Sequence, residues 1–235
     1  MSLSDTAPGI VELHGTPDPT SYRRLLDDVG RTRRCPVLFG FRAVESAGGM
    51  PVPDDPWAAV DATDAHAVLE DWWPGPYTQD CLCLDPWVDA FPPRPDGGPD
   101  RSRDATTLRA AAACAHDLGP YSDLAVIDAA RPADVPLAVR WSGPCNYPRI
   151  DLVGLTAVLR SWEDRFGAML VRLDGATLTL TVAHPPRTTA EAEALAAEHF
   201  AFCSDQQDPQ NGTVLTPRSY AATIRGADTW RFWWD

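Results

Sequence analysis

The chain has 235 residues, of which 44% are hydrophobic and 23% charged, a composition typical of a globular protein with a buried core. All 20 basic residues are arginine, so a lysine Schiff base, a phosphate-loop lysine and a lysine general base are excluded. The formal net charge of −13 is opposite to the basic surface of nucleic-acid-binding proteins and argues against a nucleic-acid partner.

The N-terminal sequence MSLSDTAPGIVEL lacks the basic start and apolar run of a secretory signal, and no stretch approaches the ~18 apolar residues of a membrane span. A chain of this length needs no disulfide framework. Its six cysteines, without an export signal, are therefore expected to be reduced thiols. We expect a cytoplasmic protein without a membrane partner.

Residues 1–90 predict a smaller N-terminal region of mixed α and β structure. The segments GIVEL and CPVLFGF predict short strands, and CLCLDPWV a further one. A helix closed by Gly30 is predicted for SYRRLLDDVG, and another helix for WAAVDATDAHAVLEDWW. Residues 91–104, FPPRPDGGPDRSRD, are rich in proline and glycine, which indicates a linker or a long surface loop.

The patterns are sharper in residues 105–235, the predicted C-terminal domain. ATTLRAAAACAHDLG predicts a helix that ends at Gly119, and LAVIDAA predicts a buried strand. In DLVGLTAVLRSWEDRFG the apolar residues fall on one helical stripe. Asp151 is placed to cap the start of this helix and Gly167 to end it.

The segment AMLVRLDGATLTLTVA predicts a β-hairpin with its turn at Asp174–Gly175, because Asp-Gly between two apolar runs favours a tight turn. Its second strand alternates strictly, so one face should be buried while the other is solvated or lines a groove. The apolar face carries Leu178, Leu180 and Val182, and the polar face Thr177, Thr179 and Thr181.

The remaining segments complete a regular order of elements. Thr188 followed by Glu191 is a capping-box pattern that opens the helix TTAEAEALAAEHFAFC. TPRSYAATIRG predicts a short helix and WRFWWD a short aromatic strand. From residue 123 onward the order is strand, helix, strand, strand, helix, strand. It predicts an α+β fold, a ferredoxin-like split βαβ unit with both main helices on one face of an antiparallel sheet.

Four segments follow one another between residues 121 and 235: LAVIDAARPADVPLAVRWSGPCNY, LTAVLRSWEDRFGAMLVRL, AEHFAFCSD and the terminal WRFWWD. Together and in this order, they resemble the domain of unknown function 4253 family. Several spaced blocks in one order make the resemblance specific. It implies a soluble bacterial protein and names no activity.

His199 and Cys203 are the main candidates for catalysis. They are four residues apart and share a helix face, so the imidazole could activate the thiol, or the two could bind a metal. Asp205, just past the helix, could orient His199. The alternative is structural, because cysteine and the neighbouring Phe202 are typical core residues.

Two other clusters have weaker patterns. Trp162 belongs to the apolar stripe of its helix, and Glu163 follows it as a second candidate binding residue. Adjacent helix residues diverge by about 100°, so Glu163 and Asp164 are expected on a solvated face with a local ion pair rather than as an acid–base pair. Zinc could be held by four weak candidates that lack the usual two-residue spacers: Cys81, Cys83, Cys114 and His116.

The terminal WRFWWD predicts a strand with two different faces. One face would pack in the core, with Trp230, Phe232 and Trp234. The other would expose a tryptophan between two charges, which is typical of a recognition surface and equally compatible with packing on a neighbouring element. This second face carries Arg231, Trp233 and Asp235.

The signatures GxSxG, HExxH, GxxxxGK[ST] and GxGxxG do not occur. We therefore expect a non-enzymatic binding or protein-interaction domain without a cofactor. Its partner would be a protein, and the acidic net charge favours a basic one. The alternative is a small thiol-dependent or metal-assisted hydrolase or transferase that uses Cys203 and His199.

Overall fold

The computed structural model of the chain describes residues 8–16, 19–74, 83–95, 98–207 and 214–235. Within these ranges the fold is mixed α+β, with one six-stranded sheet and eight α-helices. The strands are β1 (Ile10–His14), β2 (Arg34–Phe39), β3 (Asp123–Asp128), β4 (Ala168–Leu173), β5 (Thr177–Val182) and β6 (Thr229–Trp233). The helices are α1 (Pro19–Thr32), α2 (Pro56–Asp61), α3 (Ala65–Trp72), α4 (Ala105–Leu118), α5 (Val135–Ala138), α6 (Leu152–Phe166), α7 (Thr189–Phe202) and α8 (Pro217–Ile224).

The strand order of the sheet is β1-β3-β2-β4-β5-β6. β2 pairs antiparallel with β3 and parallel with β4, and the other neighbours are antiparallel. The ferredoxin-like split βαβ arrangement predicted from the sequence is not the order of these strands. That arrangement would place the last strand next to β3, whereas β2 lies between β3 and β4, and β6 forms the far edge beside β5.

Strands from before and after the predicted linker thus belong to the same sheet. β1 and β2 both pair with β3, on its two sides. The described part of the 91–104 segment contains no helix or strand, and its end packs on α6, where the Arg101 amide donates to the Asp164 carbonyl at 2.9 Å. The boundaries 1–90 and 105–235 stay a prediction.

Local capping signals are found where the sequence places them. The Asp151 side chain accepts from the Gly154 amide and caps α6, and Gly167 ends that helix with a φ of 56°. A capping box of Thr188 and Glu191 opens α7. β4 and β5 form the predicted hairpin around Asp174–Gly175.

Three N-terminal predictions differ from the structure. α1 continues past Gly30 to Thr32, and Arg33 takes the positive φ of 54° that ends it. The single helix predicted near residues 57–73 is two helices, because the Asp64 carboxylate accepts from two amides and starts α3 anew. The described part of CLCLDPWV forms a turn at residues 83–86 instead of a strand.

Helices cover the two sheet faces unequally. α6 and α7 enclose a core in which Trp162, Phe202 and Phe232 pack against one another on the apolar face of β5 and β6. On the other face, α1 packs over β2, and α4 packs over β4 and β5. Every residue of β5 is buried, and beyond the C-terminal end of α4 its Thr177 and Thr179 line a surface groove on this face. No helix in the described ranges is long and apolar enough to cross a membrane.

Candidate functional site

The two faces of β6 differ as the alternation in WRFWWD predicts. Trp230, Phe232 and Trp234 are buried, with at most 2% of each residue exposed. Arg231 is exposed and Trp233 half-buried on the opposite face. This opposite face continues the threonine face of β5, because Thr177 pairs with Trp233.

A groove of about 530 Å³ lies over this face, and its β5 floor is buried. Its volume is in the range of sites that bind small molecules. Thr177 and Thr179 form its floor, and the side chains of Arg231 and Trp233 form the β6 side. Around them the groove is lined by Phe41, Arg42, Leu118, Arg172, Asp174, Gly175, Ala176 and Thr229.

The groove is rich in arginine although the whole chain is acidic. Three of its lining residues are arginines, and Asp174 is the acidic one. Asp174 accepts from Arg172 at 3.0 Å, and the two side chains are about one-fifth exposed. Arg231 forms no ion pair with any residue in the described ranges. Exposed Phe41 and half-buried Trp233 add aromatic surface.

The rim of the groove is held by contacts between the β4–β5 turn and the segment that follows β2. The Gly175 amide donates to the Phe41 carbonyl at 3.0 Å. Gly40 lies so close to the Arg172–Asp174 pair that an added Cβ would be 1.7 Å from Asp174 Oδ1. A side chain at Gly40 is therefore incompatible with the observed position of the pair.

His199 is fully buried in the aromatic core. Its Nδ1 lies 3.1 Å from the Tyr220 hydroxyl, and its ring packs against Trp162 and Trp230 at centroid distances of 4.9 and 4.7 Å. Burial, together with the charge of Arg165, lowers the pKa of His199 well below its ordinary value. The imidazole is therefore neutral at pH 7.

Cys203 is also buried, and its thiol contacts the edge strand of the sheet. Its thiol donates to the carbonyl oxygen of Trp233 at 3.1 Å, and the Gln206 side chain donates to the carbonyl of Arg231 at 2.7 Å. Both carbonyls belong to the edge strand β6, so these contacts cover hydrogen-bonding groups that an edge strand would otherwise expose. Burial raises the pKa of the Cys203 thiol, which opposes thiolate formation.

The hydrogen-bond partners of Asp205 differ from those of His199. Its carboxylate accepts hydrogen bonds from the Tyr147 hydroxyl and from the Asp235 amide, the latter at 2.9 Å. Asp235 is exposed at the end of the chain, outside the groove lining. The structure thus places His199, Cys203 and Asp205 near one end of α7 but does not join them in one hydrogen-bonded group.

Trp162 and Glu163, predicted as binding residues, are both buried. Trp162 stacks on Phe232 and donates through Nε1 to Glu198 at 2.7 Å. Arg165 binds the same carboxylate of Glu198 through two N–H groups, at 2.8 and 2.9 Å.

Glu163 is 1% exposed, so the solvated face predicted for it from the sequence is wrong. Its carboxylate accepts from the Ala133 amide at 3.0 Å and lies 3.3 Å from Arg131. The segment between β3 and α6 covers this side of α6, so the helix is buried on more than its apolar stripe. Burial raises the pKa of Glu163 to about 7, and Arg131 offsets this only in part.

The three described zinc candidates, Cys83, Cys114 and His116, do not form a metal-binding group. Cys83 is in a disulfide, so the expectation of reduced cysteines is wrong for this residue, and Cys81 lies outside the described residues. On α4, Cys114 is half-buried and His116 exposed, because residues two apart on a helix point in different directions. Across the described ranges, no three His, Cys, Asp or Glu side chains are placed to hold a metal.

Sequence reasoning missed Arg172 and the segment of Phe41 and Arg42. One signal was available for Arg172: it is the charged residue of the otherwise apolar strand AMLVRL, next to a strand with a threonine face. Phe41 and Arg42 come to the groove through the pairing of β2 with β4, which the sequence pattern does not reveal.

Comparison with protein families finds a match in the C-terminal part of the chain. Residues 123–235 match the model of the family described as Domain of unknown function (DUF4253). The match begins at β3 and ends with β6, so it includes Arg172, Arg231 and Trp233. Neither a curated protein nor a solved structure matches the chain.

Proposed function

We propose that this chain, whose residues 123–235 match the DUF4253 family model, is a cytoplasmic bacterial binding protein without catalytic activity, and that the groove is its binding surface. The observation that carries the proposal is the placement of Arg231 and Trp233 on the accessible face of β6, while Trp230, Phe232 and Trp234, which alternate with them, are buried. An accessible tryptophan beside arginine is typical of recognition surfaces.

The position of the thiol supports binding over thiol chemistry. A nucleophilic cysteine needs access to substrate and a partner that favours the thiolate. Cys203 and His199 are both 0% exposed, and the hydrogen-bond partners of both are structural. A basic protein partner, favoured by the net charge of −13, would have to bind outside the arginine-lined groove.

A screen of fluorinated fragments by ¹⁹F NMR tests the binding surface. The panel contains acids, amines and neutral compounds of similar shape. We expect some members to bind the wild-type protein but not the T229W variant. Exposed Thr229 lines the groove, and a tryptophan at this position would fill it. T223W, which changes an exposed threonine on α8, is the matched control. Binding that is unaffected by T229W, or none at all, would contradict the proposal.

The cytoplasmic location has a separate test. Four described cysteines are free, as expected in a reducing compartment, and the disulfide at Cys83 would be reduced there. If the protein is cytoplasmic, thiol alkylation in intact host cells before lysis should label Cys83. A Cys83 that is protected until a reductant is added would contradict this location.

A further inference from the structure

The strand register places two arginines on either side of one threonine in the groove. Arg172 of β4 pairs with Thr179 of β5, and Thr179 pairs with Arg231 of β6. Residues that pair directly across antiparallel strands point to the same sheet face. All three also line the groove, so they form a single row across its floor, which we call the arginine row.

The spacing of the arginine row suits one shared anion. Neighbouring strands lie about 4.8 Å apart, so the Cα atoms of Arg172 and Arg231 are roughly 10 Å from each other. Both side chains are long enough to reach a group held above Thr179. Guanidinium groups bind carboxylates and phosphates with paired N–H donors.

The charges around the arginine row are not balanced within the groove. Asp174 neutralises Arg172 through Nη2, and Arg42 has an exposed ion pair with Glu45 at 3.1 Å. Arg231 has no acidic partner in the described part of the chain. The groove therefore attracts anions even though the chain as a whole repels them.

Trp233 gives the site an apolar side. It lies two residues from Arg231 on the same face of β6, which corresponds to about 7 Å along a strand. This distance is similar to the width of a planar ring or a short alkyl chain. A ligand that spans it would place a charged group at Arg231 and an apolar group at Trp233.

We propose that the arginine row binds the carboxylate or phosphate of a small organic anion whose apolar part packs on Trp233. This inference rests on the proposed function, since it names the ligand class of the same groove. Arg231 supplies the unpaired positive charge, Arg172 a second guanidinium across Thr179, and Trp233 the apolar contact.

The test uses three probes of one shape: 4-fluorobenzoate, 4-fluorophenyl phosphate and the neutral 4-fluorobenzamide, titrated by ¹⁹F NMR. We expect at least one anion to bind about tenfold more tightly than the amide, because the neutral amide cannot form a charge-assisted hydrogen bond with the guanidinium groups. The tighter of the two anions identifies the head group as carboxylate or phosphate. R231Q should weaken its binding about tenfold.

R24Q is the matched control, because it removes the same charge from an exposed position on α1. It should change affinity by no more than about twofold, since distant exposed charges are screened. Equal weakening by R231Q and R24Q would overturn the inference. Equal affinity for the anions and the amide would also overturn the inference. If T229W abolishes that binding, the groove is still the binding surface, and only the preference for an anion is wrong. If none of the three probes binds, the anion inference fails, while the wider fragment panel decides the proposed function separately.

Discussion

At the scale of single residues, burial decides which side chains are available for recognition or chemistry. His199 and Cys203 are four residues apart, as a catalytic pair on a helix would be, but both are fully enclosed. Trp233 is only one residue from buried Phe232 and is accessible. Strand alternation therefore located an accessible residue, whereas the His–Cys spacing located part of the core.

The thiols should differ widely in reactivity. With a negatively charged alkylating reagent at pH 7.5, we expect Cys145 to react first because it is exposed. Cys114 should follow slowly, since burial raises its pKa to about 11. Cys35 and Cys203 should react only as fast as the protein opens. Peptide mass spectrometry gives each rate, and a Cys203 that labels as fast as Cys145 would revive the thiol-enzyme alternative.

Glu163 should make stability depend on pH. Its pKa is about 7 in the folded protein, against 4.5 for an ordinary glutamate, so folding takes up a proton between these values. This contribution is fully present below pH 4.5 and is lost as the pH rises through 7. It amounts to about 3 kcal/mol. The ionised carboxylate would face Arg131 but also the acidic Asp134 and Asp164.

Urea unfolding at pH 5 and pH 8 measures this effect. His199 acts in the opposite direction, because its lowered pKa makes stability fall as the pH drops below 6.5. The comparison must therefore be made with E163Q, which keeps an oxygen acceptor for the Ala133 amide. We expect the stability of the wild-type protein relative to E163Q to fall from pH 5 to pH 8. A constant difference would show that Glu163 does not take up a proton on folding.

At the scale of elements, turns and helix caps could be predicted from the sequence, whereas contacts between distant segments could not. The Asp174–Gly175 turn and the Thr188–Glu191 capping box each depend on residues a few positions apart, and both were predicted from the sequence. The position of β2 between β3 and β4 depends on segments more than 80 residues apart. The burial of Glu163 likewise requires Arg131 and Ala133, which belong to another segment.

Gly40 should be required for the rim of the groove. In G40A the added Cβ would lie 1.7 Å from Asp174 Oδ1 and 2.5 Å from Arg172 Nη2, so the ion pair must move. We expect a loss of about 1–3 kcal/mol in the free energy of unfolding, as for other overpacked sites. In G15A the Cβ meets nothing within 4 Å, so this control should remain within about 0.5 kcal/mol of the wild type. Equal stability of the two variants would contradict the close approach at Gly40.

At the scale of the whole molecule, the family match and the sheet have different boundaries. The match starts at β3, yet β2 lies between β3 and β4 and comes from residues before the match. The β2 residues from Cys35 to Phe39 are all buried. The N-terminal region therefore provides a central strand of the sheet, and its Phe41 and Arg42 complete the groove.

A fragment of residues 105–235 should not fold alone, because β3 and β4 would lose the strand between them. We expect it to show no cooperative unfolding transition in urea by circular dichroism, and co-expression with residues 1–104 to restore one. A cooperative transition and a dispersed NMR spectrum for 105–235 alone would mean that β2 is dispensable, and would support the domain boundary predicted from the sequence.

The central claim is that the groove beside Arg231 and Trp233 is where this protein binds its ligand. A crystal structure of the full chain with 4-bromobenzoate tests it most directly, because the anomalous signal of bromine locates the compound independently of the fitted atoms. We predict the carboxylate within hydrogen-bonding distance of Arg231, above Thr179, and the ring against Trp233. A bromine peak at another place, with the groove ordered and free of the compound, would contradict the claim.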